Sequence, residues 1–278
     1  MVEVTLLGIA QDGGRPQAGC TRPCCQGLTP SDAAFPVALG ITDGDANHLI
    51  EATRCLGQQL TIWGQTSIDN VFLTHAHFGH VDGLGLFGKE TMNARNVGLY
   101  ISSEMEHLVD RTPQWSLMVD QGVFAPSVFH DGDLIQLSSS LTIQPLKVPH
   151  RDELSDMHAF ILRGPNRSLL FLPDHDTWEE TLTRHNAQTI RSWLTSLKVD
   201  IALVDGTFWS SNSDGLTGAW LREVVQTALI AMIKDERALI TKDDLTASLK
   251  DVLKRRGMAY RVTPYGASGQ ESANAYVQ

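Results

Sequence analysis

Residues 73–83 read LTHAHFGHVDG, which places His75, His77 and His80 within six positions directly after an apolar run. In an extended segment alternate side chains point to one side, so the His75 and His77 imidazoles can converge on one point. His80 follows three residues later, where a turn into a helix would swing it back beneath them. Neutral imidazole nitrogens suit a divalent transition metal, and zinc is the common occupant of nitrogen-rich sites. Surface histidines satisfied by water and backbone are the ordinary alternative. That alternative suits a lone histidine better than three so closely spaced.

A second concentration of ligand-type residues is GCTRPCC, where Cys20, Cys24 and Cys25 fall within six residues. Four cysteines in a chain of 278 residues are too few for a disulfide scaffold, so reduced thiols are expected, and clustered thiols point to metal. Cys55 lies in a helix-patterned stretch and is expected to be a small buried hydrophobe. His150 follows TIQPLKVP and Asp174 ends SLLFLP, which places both at strand ends near a shared edge. His150 could equally be a loop histidine beside a proline, and Asp174 a helix N-cap ahead of DHDTWEE. Asp205 ends VDIALVDG, where it either supports a metal-bound histidine from behind or turns the chain.

The elements that must carry these residues are mostly strands. β-Branched, apolar runs predict strands at 2–10, 37–44, 48–53, 67–77, 96–102 and 199–208. Two more are expected within 131–153, joined by a serine run, and a hairpin at 158–164 and 168–174 around PNR. Apolar spacing predicts helices at 55–64, 81–92, 104–111 and 190–198, with two amphipathic helices at 220–236 and 242–257 before a short strand AYRVTPYG. Two sheets packed face to face with helices outside would bury such strands well, giving an α/β sandwich. With no internal repeat or low-complexity linker, the expectation is one domain over 1–278, with a divergent, helix-rich tail at 210–278.

LTHAHFGHVDG resembles the HxHxDH signature of metallo-β-lactamase-fold hydrolases, with Gly79 in the aspartate's place. The resemblance is nearest to the PqqB-like branch, named for pyrroloquinoline quinone biosynthesis. GIAQDGGRPQAGC (8–20), THAHFGH (74–80), VPHRDE (148–153) and PDHDTWE (173–179) stand in that branch's order. The likeness covers roughly residues 1–210, and the tail from about Ser210 is unmatched, either a replacement or the product of a late reading-frame change. It implies an αββα sandwich of the metallo-β-lactamase type, with two mixed sheets flanked by helices. It also implies a metal position held by His75, His77 and His150, with Asp174 reaching towards a second position. There Gly79 supplies no carboxylate, leaving His80 and Asp174. The cysteine loop resembles a structural zinc loop of this branch and of phosphonate-pathway phosphodiesterases, whose fourth ligand comes from a late histidine region. This chain has no histidine after His185.

Together these features imply a metal-dependent hydrolase acting on a small ester-type substrate, a phosphodiester or lactone first. One Zn2+ per active site is expected, though iron or manganese suits the same donors, and a structural zinc could sit at Cys20, Cys24 and Cys25. Asp174 would hold or orient the attacking hydroxide and His80 assist. An iron-dependent oxidoreductase of the PqqB-like kind and a non-catalytic descendant of the fold are the alternatives. A formal net charge of −10 counts against nucleic-acid binding. No run approaches the ~20 apolar residues of a membrane helix, and MVEVTLLGIAQDGG lacks the charge and apolar pattern of a signal peptide. The expectation is a cytoplasmic protein with a small-molecule substrate and no nucleic-acid or membrane partner. A homodimer is compatible with the sequence, which leaves the oligomeric state open.

Overall fold

In the computed structural model, which describes residues 1–205, backbone pairing sorts the predicted strands into two sheets. The first has six strands in chain order: β1 (Val2–Gly8), β2 (Ala38–Asp43), β3 (Ala46–Ile50), β4 (Asn70–Phe72), β5 (Val97–Ser102) and β6 (Phe124–Phe129). Its first three strands pair antiparallel and the rest run parallel. The second sheet comprises β7 (Ile135–Gln136), β8 (Thr142–Val148), β9 (Met157–Arg163), β10 (Ser168–Leu172) and β11 (Ile201–Val204). Four of them form an antiparallel meander, and β11 adds parallel to β10. Both sheets are therefore mixed, as expected. Met1–Val204 make up one compact unit.

The strand alternation shows why two sheets stack. Leu39, Ile41, Ile50 and Phe72 from the first sheet share a buried cluster with Ile143, Phe160, Leu162 and Phe171 from the second. Their neighbours along the strands, such as Leu49 and Val71, point the other way, into a cluster with Leu56, Trp63 and Met105. Ala159, Ile161, Leu170 and Leu172 likewise face away from the inter-sheet core and pack on Trp193. Such fully buried side chains each contribute roughly 2 kcal/mol relative to exposure. The outer clusters are covered by α1 (Leu56–Trp63), α2 (Phe78–Val81), α3 (Ser103–Arg111) and α4 (Pro113–Asp120) on one side and by α5 (Trp178–Arg184) and α6 (Ile190–Leu197) on the other. The result is an αββα sandwich. None of the helices among the described residues is long and apolar enough to cross a membrane.

Several details differ from expectation. The helix predicted over 81–92 is instead the single turn α2 followed by a 3-10 segment, Asp82–Phe87. Gly83, Gly85 and Gly88 interrupt it, and glycine is a poor helix former. The strand predicted to run to His77 stops as β4 at Phe72, and the histidines lie beyond its end. α4 and β6 lie where no element was predicted. β6 contains Pro126, which is tolerated because β6 is the outermost strand of its sheet. Asp174 is no N-cap: the cap of α5 is Thr177, whose side chain accepts from the Glu180 amide. Cys55 is half-buried at the start of α1 rather than fully enclosed. The helices predicted at 220–236 and 242–257, the AYRVTPYG strand and the tail's place in a single domain lie outside the described residues.

Candidate metal centre

The ligand-type residues come from the loops that leave one end of both sheets. His75 and His77 follow β4, His80 sits in α2, His150 follows β8 and Asp174 follows β10. The two sheets are tied together there: the His158 amide of β9 donates to the Thr74 carbonyl, 3.0 Å, and the Ala76 amide to Ser155 Oγ, 3.0 Å. Buried hydrogen bonds thus fix the THAHFGH segment against the second sheet, where His150 and Asp174 arise.

One ligand atom each from His75, His77, His150 and Asp174 lies within 4.8 Å of the others. His75 Nε2 is 2.8 Å from His77 Nδ1 and 3.5 Å from Asp174 Oδ2. His150 Nε2 is 3.3 Å from His77 Nδ1 and 3.9 Å from Asp174 Oδ2. Two ligands at zinc distances of ~2.0–2.1 Å in tetrahedral geometry stand ~3.3 Å apart, so these separations fit one metal of that size.

Each of the three imidazoles has an oxygen beside its other ring nitrogen. Thr74 Oγ1 donates its only proton to Glu51 Oε1 at 2.5 Å, so at 2.9 Å from His75 Nδ1 it must accept. That puts the His75 proton on Nδ1 and leaves the Nε2 lone pair facing the centre. His150 Nδ1 lies 3.1 Å from Asp176 Oδ1, and His77 Nε2 lies 3.4 Å from Glu153 Oε2. Oxygen partners of this kind fix the tautomer and ring orientation of metal-ligating histidines. Burial, reinforced by the nearby charge of His80, holds the His75 pKa well below its ordinary value and keeps the ring neutral, the state a ligand requires.

His80 is different. Its side chain is 1% exposed, with Nδ1 3.2 Å from Glu51 Oε1 and Nε2 3.0 Å from Asp174 Oδ2 and 3.3 Å from Asp12 Oδ1. Neither nitrogen makes a well-angled hydrogen bond. Burial opposes its charged form, but Glu51, Asp12 and Asp174 outweigh that and hold its pKa well above the ordinary value. Three carboxylates around a buried imidazole create a place that demands positive charge.

Asp12, Glu51 and Asp176 were not singled out in the sequence. Asp12 lies in the loop after β1, and its oxygen groups with His80 and Asp174 within 4.8 Å. Glu51, directly after β3 in a left-handed conformation (φ 73°), is wholly buried, and burial raises its pKa. The available signal was an acid ending the apolar run HLIE, the same signal that drew attention to Asp205. Asp205 directly follows β11 in the chain and is half-buried. Away from this centre, Cys20, Cys24 and Cys25 bring three Sγ atoms within 4.8 Å of one another. The Gln17 amide donates to Cys25 Sγ at 3.4 Å and lowers that thiol's pKa, whereas burial and the Cys25 sulfur raise that of Cys24. The group has the size of a thiolate metal site.

Comparison with known proteins agrees with this architecture. Zn2+-bound PqqB from Methylobacterium extorquens superposes with a TM-score of 0.58 at 19% identity, over 74% of this chain and 73% of that one. The metallo-β-lactamase-fold protein YhfI from Bacillus subtilis gives 0.54 at 15% identity, over 90% and 92%. A diphosphatase of the PhnP family gives 0.50 at 19% identity, over 73% and 85%. Identities this low show a shared fold. An octanoyltransferase from Porphyromonas gingivalis is 38% identical over 80 residues, 28% of this chain, and the match spans only 16% of that curated relative's length. The profile of the beta-lactamase superfamily domain matches residues 46–241, well over half of the chain, and the chain belongs to that family.

Proposed function

We propose that the protein is a metal-dependent hydrolase of small ester-type substrates, phosphodiesters or lactones. The observation that carries the reading is the paired arrangement at His75, His77 and His150: one nitrogen of each ring faces a common point with Asp174, and the other is backed by Thr74, Glu153 or Asp176. That donor set, three imidazoles and a carboxylate, fits zinc, and also ferrous iron or manganese. When bound there, such a metal lowers the pKa of a coordinated water towards ~7 and polarises the scissile group.

The chain's own residues supply the rest. Asp174, with Oδ2 between His75 and His80, is placed to orient an attacking water. His80, buried beside it with Nε2 3.0 Å from Asp174 Oδ2, assists by holding that carboxylate in place. Substrate enters from the side of His77, whose side chain is 16% exposed beside the open Glu153. We take the substrate to be a small molecule met in the cytoplasm, since an acidic protein is ill-suited to polyanions.

Zinc-loaded protein assayed against aryl phosphodiesters and lactones tests this reading. Hydrolysis should disappear with chelator and fall at least ~100-fold in Asp174→Asn. An oxygen-consuming reaction with the iron-loaded form, and no hydrolysis with zinc, would favour the oxidoreductase alternative.

A further inference from the structure

The space around Gly79 and the orientation of His80 belong together. An ideal Cβ on Gly79 would lie 2.4 Å from both Cα and Cβ of Asp12 and 2.5 Å from its Cγ. The loop carrying Asp12 therefore occupies the very space that any side chain at position 79 would need. Asp12 Oδ1 reaches 3.3 Å from His80 Nε2, and Asp174 Oδ2 reaches the same nitrogen at 3.0 Å. That nitrogen is enclosed and makes no well-angled hydrogen bond. Its partner Nδ1 faces the buried Glu51, 3.2 Å away, the placement expected behind a metal-bound imidazole.

The loop is held where it is by backbone bonds. The Arg15 amide donates to the Ala34 carbonyl and the Ala34 amide to the Arg15 carbonyl, both at 2.8 Å, and the Gly14 amide closes a turn on Gln11 at 2.7 Å. Asp12 is thus delivered by a fixed loop, and its carboxyl is only partly open to solvent (45%).

We propose that Asp12, His80 and Asp174 form a second divalent-cation site, in which the amino-terminal loop supplies through Asp12 the carboxylate that position 79 lacks. The proposal rests on the metallohydrolase reading of the neighbouring site, with which it shares Asp174. Two carboxylates and one imidazole are a harder donor set than three imidazoles and one carboxylate, so this site favours manganese or ferrous iron relative to its neighbour. Glycine at 79 is required because the loop backbone and a side chain there cannot coexist.

The test is a Mn2+ titration of full-length protein already loaded with one zinc at the imidazole site, followed by equilibrium dialysis with metal analysis. Manganese is too hard an ion for the cysteine cluster, so its uptake reports the carboxylate site. Wild type should bind one Mn2+ per chain. Asp12→Asn and Gly79→Ala should each weaken that binding at least tenfold while retaining the zinc, Asp12→Asn with the wild-type thermal transition and Gly79→Ala with a lowered one, because its methyl displaces the loop. No Mn2+ uptake by wild type, or affinity within twofold of wild type in Asp12→Asn, overturns the proposal. Unchanged affinity in Gly79→Ala overturns the claim that Asp12 stands in for a side chain at 79. If wild type holds no zinc at His75, His77 and His150, the parent reading fails instead, which the zinc analysis shows separately.

Discussion

Glu51 Oε1 lies 3.2 Å from Nδ1 of His80 and 2.5 Å from Thr74 Oγ1, and none of these side chains reaches solvent. One carboxylate oxygen thereby supports two imidazoles, His80 directly and His75 through the Thr74 hydroxyl. Replacing it with an amide breaks that support without emptying the space. Glu51→Gln is expected to weaken metal binding 10–100-fold, the usual cost of losing an outer hydrogen-bond partner. Thr74→Val, which of the two imidazoles touches only His75, should cost less. Zinc affinities of the two variants by competition with a chromophoric chelator check this, and a Glu51→Gln affinity equal to wild type would remove Glu51 from the account.

Gly83 sits under the same corner. A Cβ there would lie 2.1 Å from the Thr53 carbonyl oxygen, whereas at Gly85 it would meet nothing within 4 Å. Backbone cannot yield as a flexible side chain can, so Gly83→Ala should destabilise by about 1–3 kcal/mol. Gly85→Ala should be neutral or stabilise by a few tenths of a kcal/mol. Urea unfolding of both decides the matter. Equal midpoints would mean that the Thr53 turn is not rigid.

His158 gives a pH dependence with a definite sign. Burial lowers its pKa against the opposing charges of Asp156 and Asp131. The folded state therefore favours the neutral ring: its contribution is complete above the unfolded pKa of ~6.5 and is lost as pH falls from there through the folded value. Stability in chelator should decline below about pH 6.5, and less steeply in His158→Gln. Parallel melting profiles of the two proteins between pH 5 and 8 test this, and coincident slopes would contradict it.

The thiols of the amino-terminal loop should react in order. The Gln17 amide lowers the pKa of Cys25 and burial raises that of Cys24, so Cys25 is expected to be alkylated first at neutral pH in chelator. Zinc should slow all three together, including Cys20. Mass mapping after brief alkylation shows the order, and a faster Cys24 would reverse the assignment.

The parts of the site legible in the sequence were those with local spacing. His75 and His77 alternate within one segment, and His150 and Asp174 end apolar strands, so their convergence followed from strand geometry and from the resemblance. Asp12 lies within GIAQDGGRPQAGC, but its role is not legible there for a physical reason: its partner His80 is far away in the chain, and only the folded loop shows that Gly79 makes room for it. The second position accordingly looked poorer in ligands than it is. In the fold, the alternation of Leu39 and Ile41 or Phe160 and Leu162 made the sandwich readable. Pro126 disguises the strand β6 unless its edge position is known, and the apolar spacing over 81–92 carries glycines that end the helix it suggests.

His75, His77, His150 and Asp174 are proposed to hold a metal. Metal analysis of protein purified without chelator tests it most directly, in a Cys20→Ser, Cys24→Ser, Cys25→Ser background that removes thiolate-bound ions. About one zinc per chain is expected at the imidazole site, lost in His75→Ala and in His77→Ala while the fold persists. A well-folded parent carrying no metal, or histidine variants that retain it in full, would contradict it.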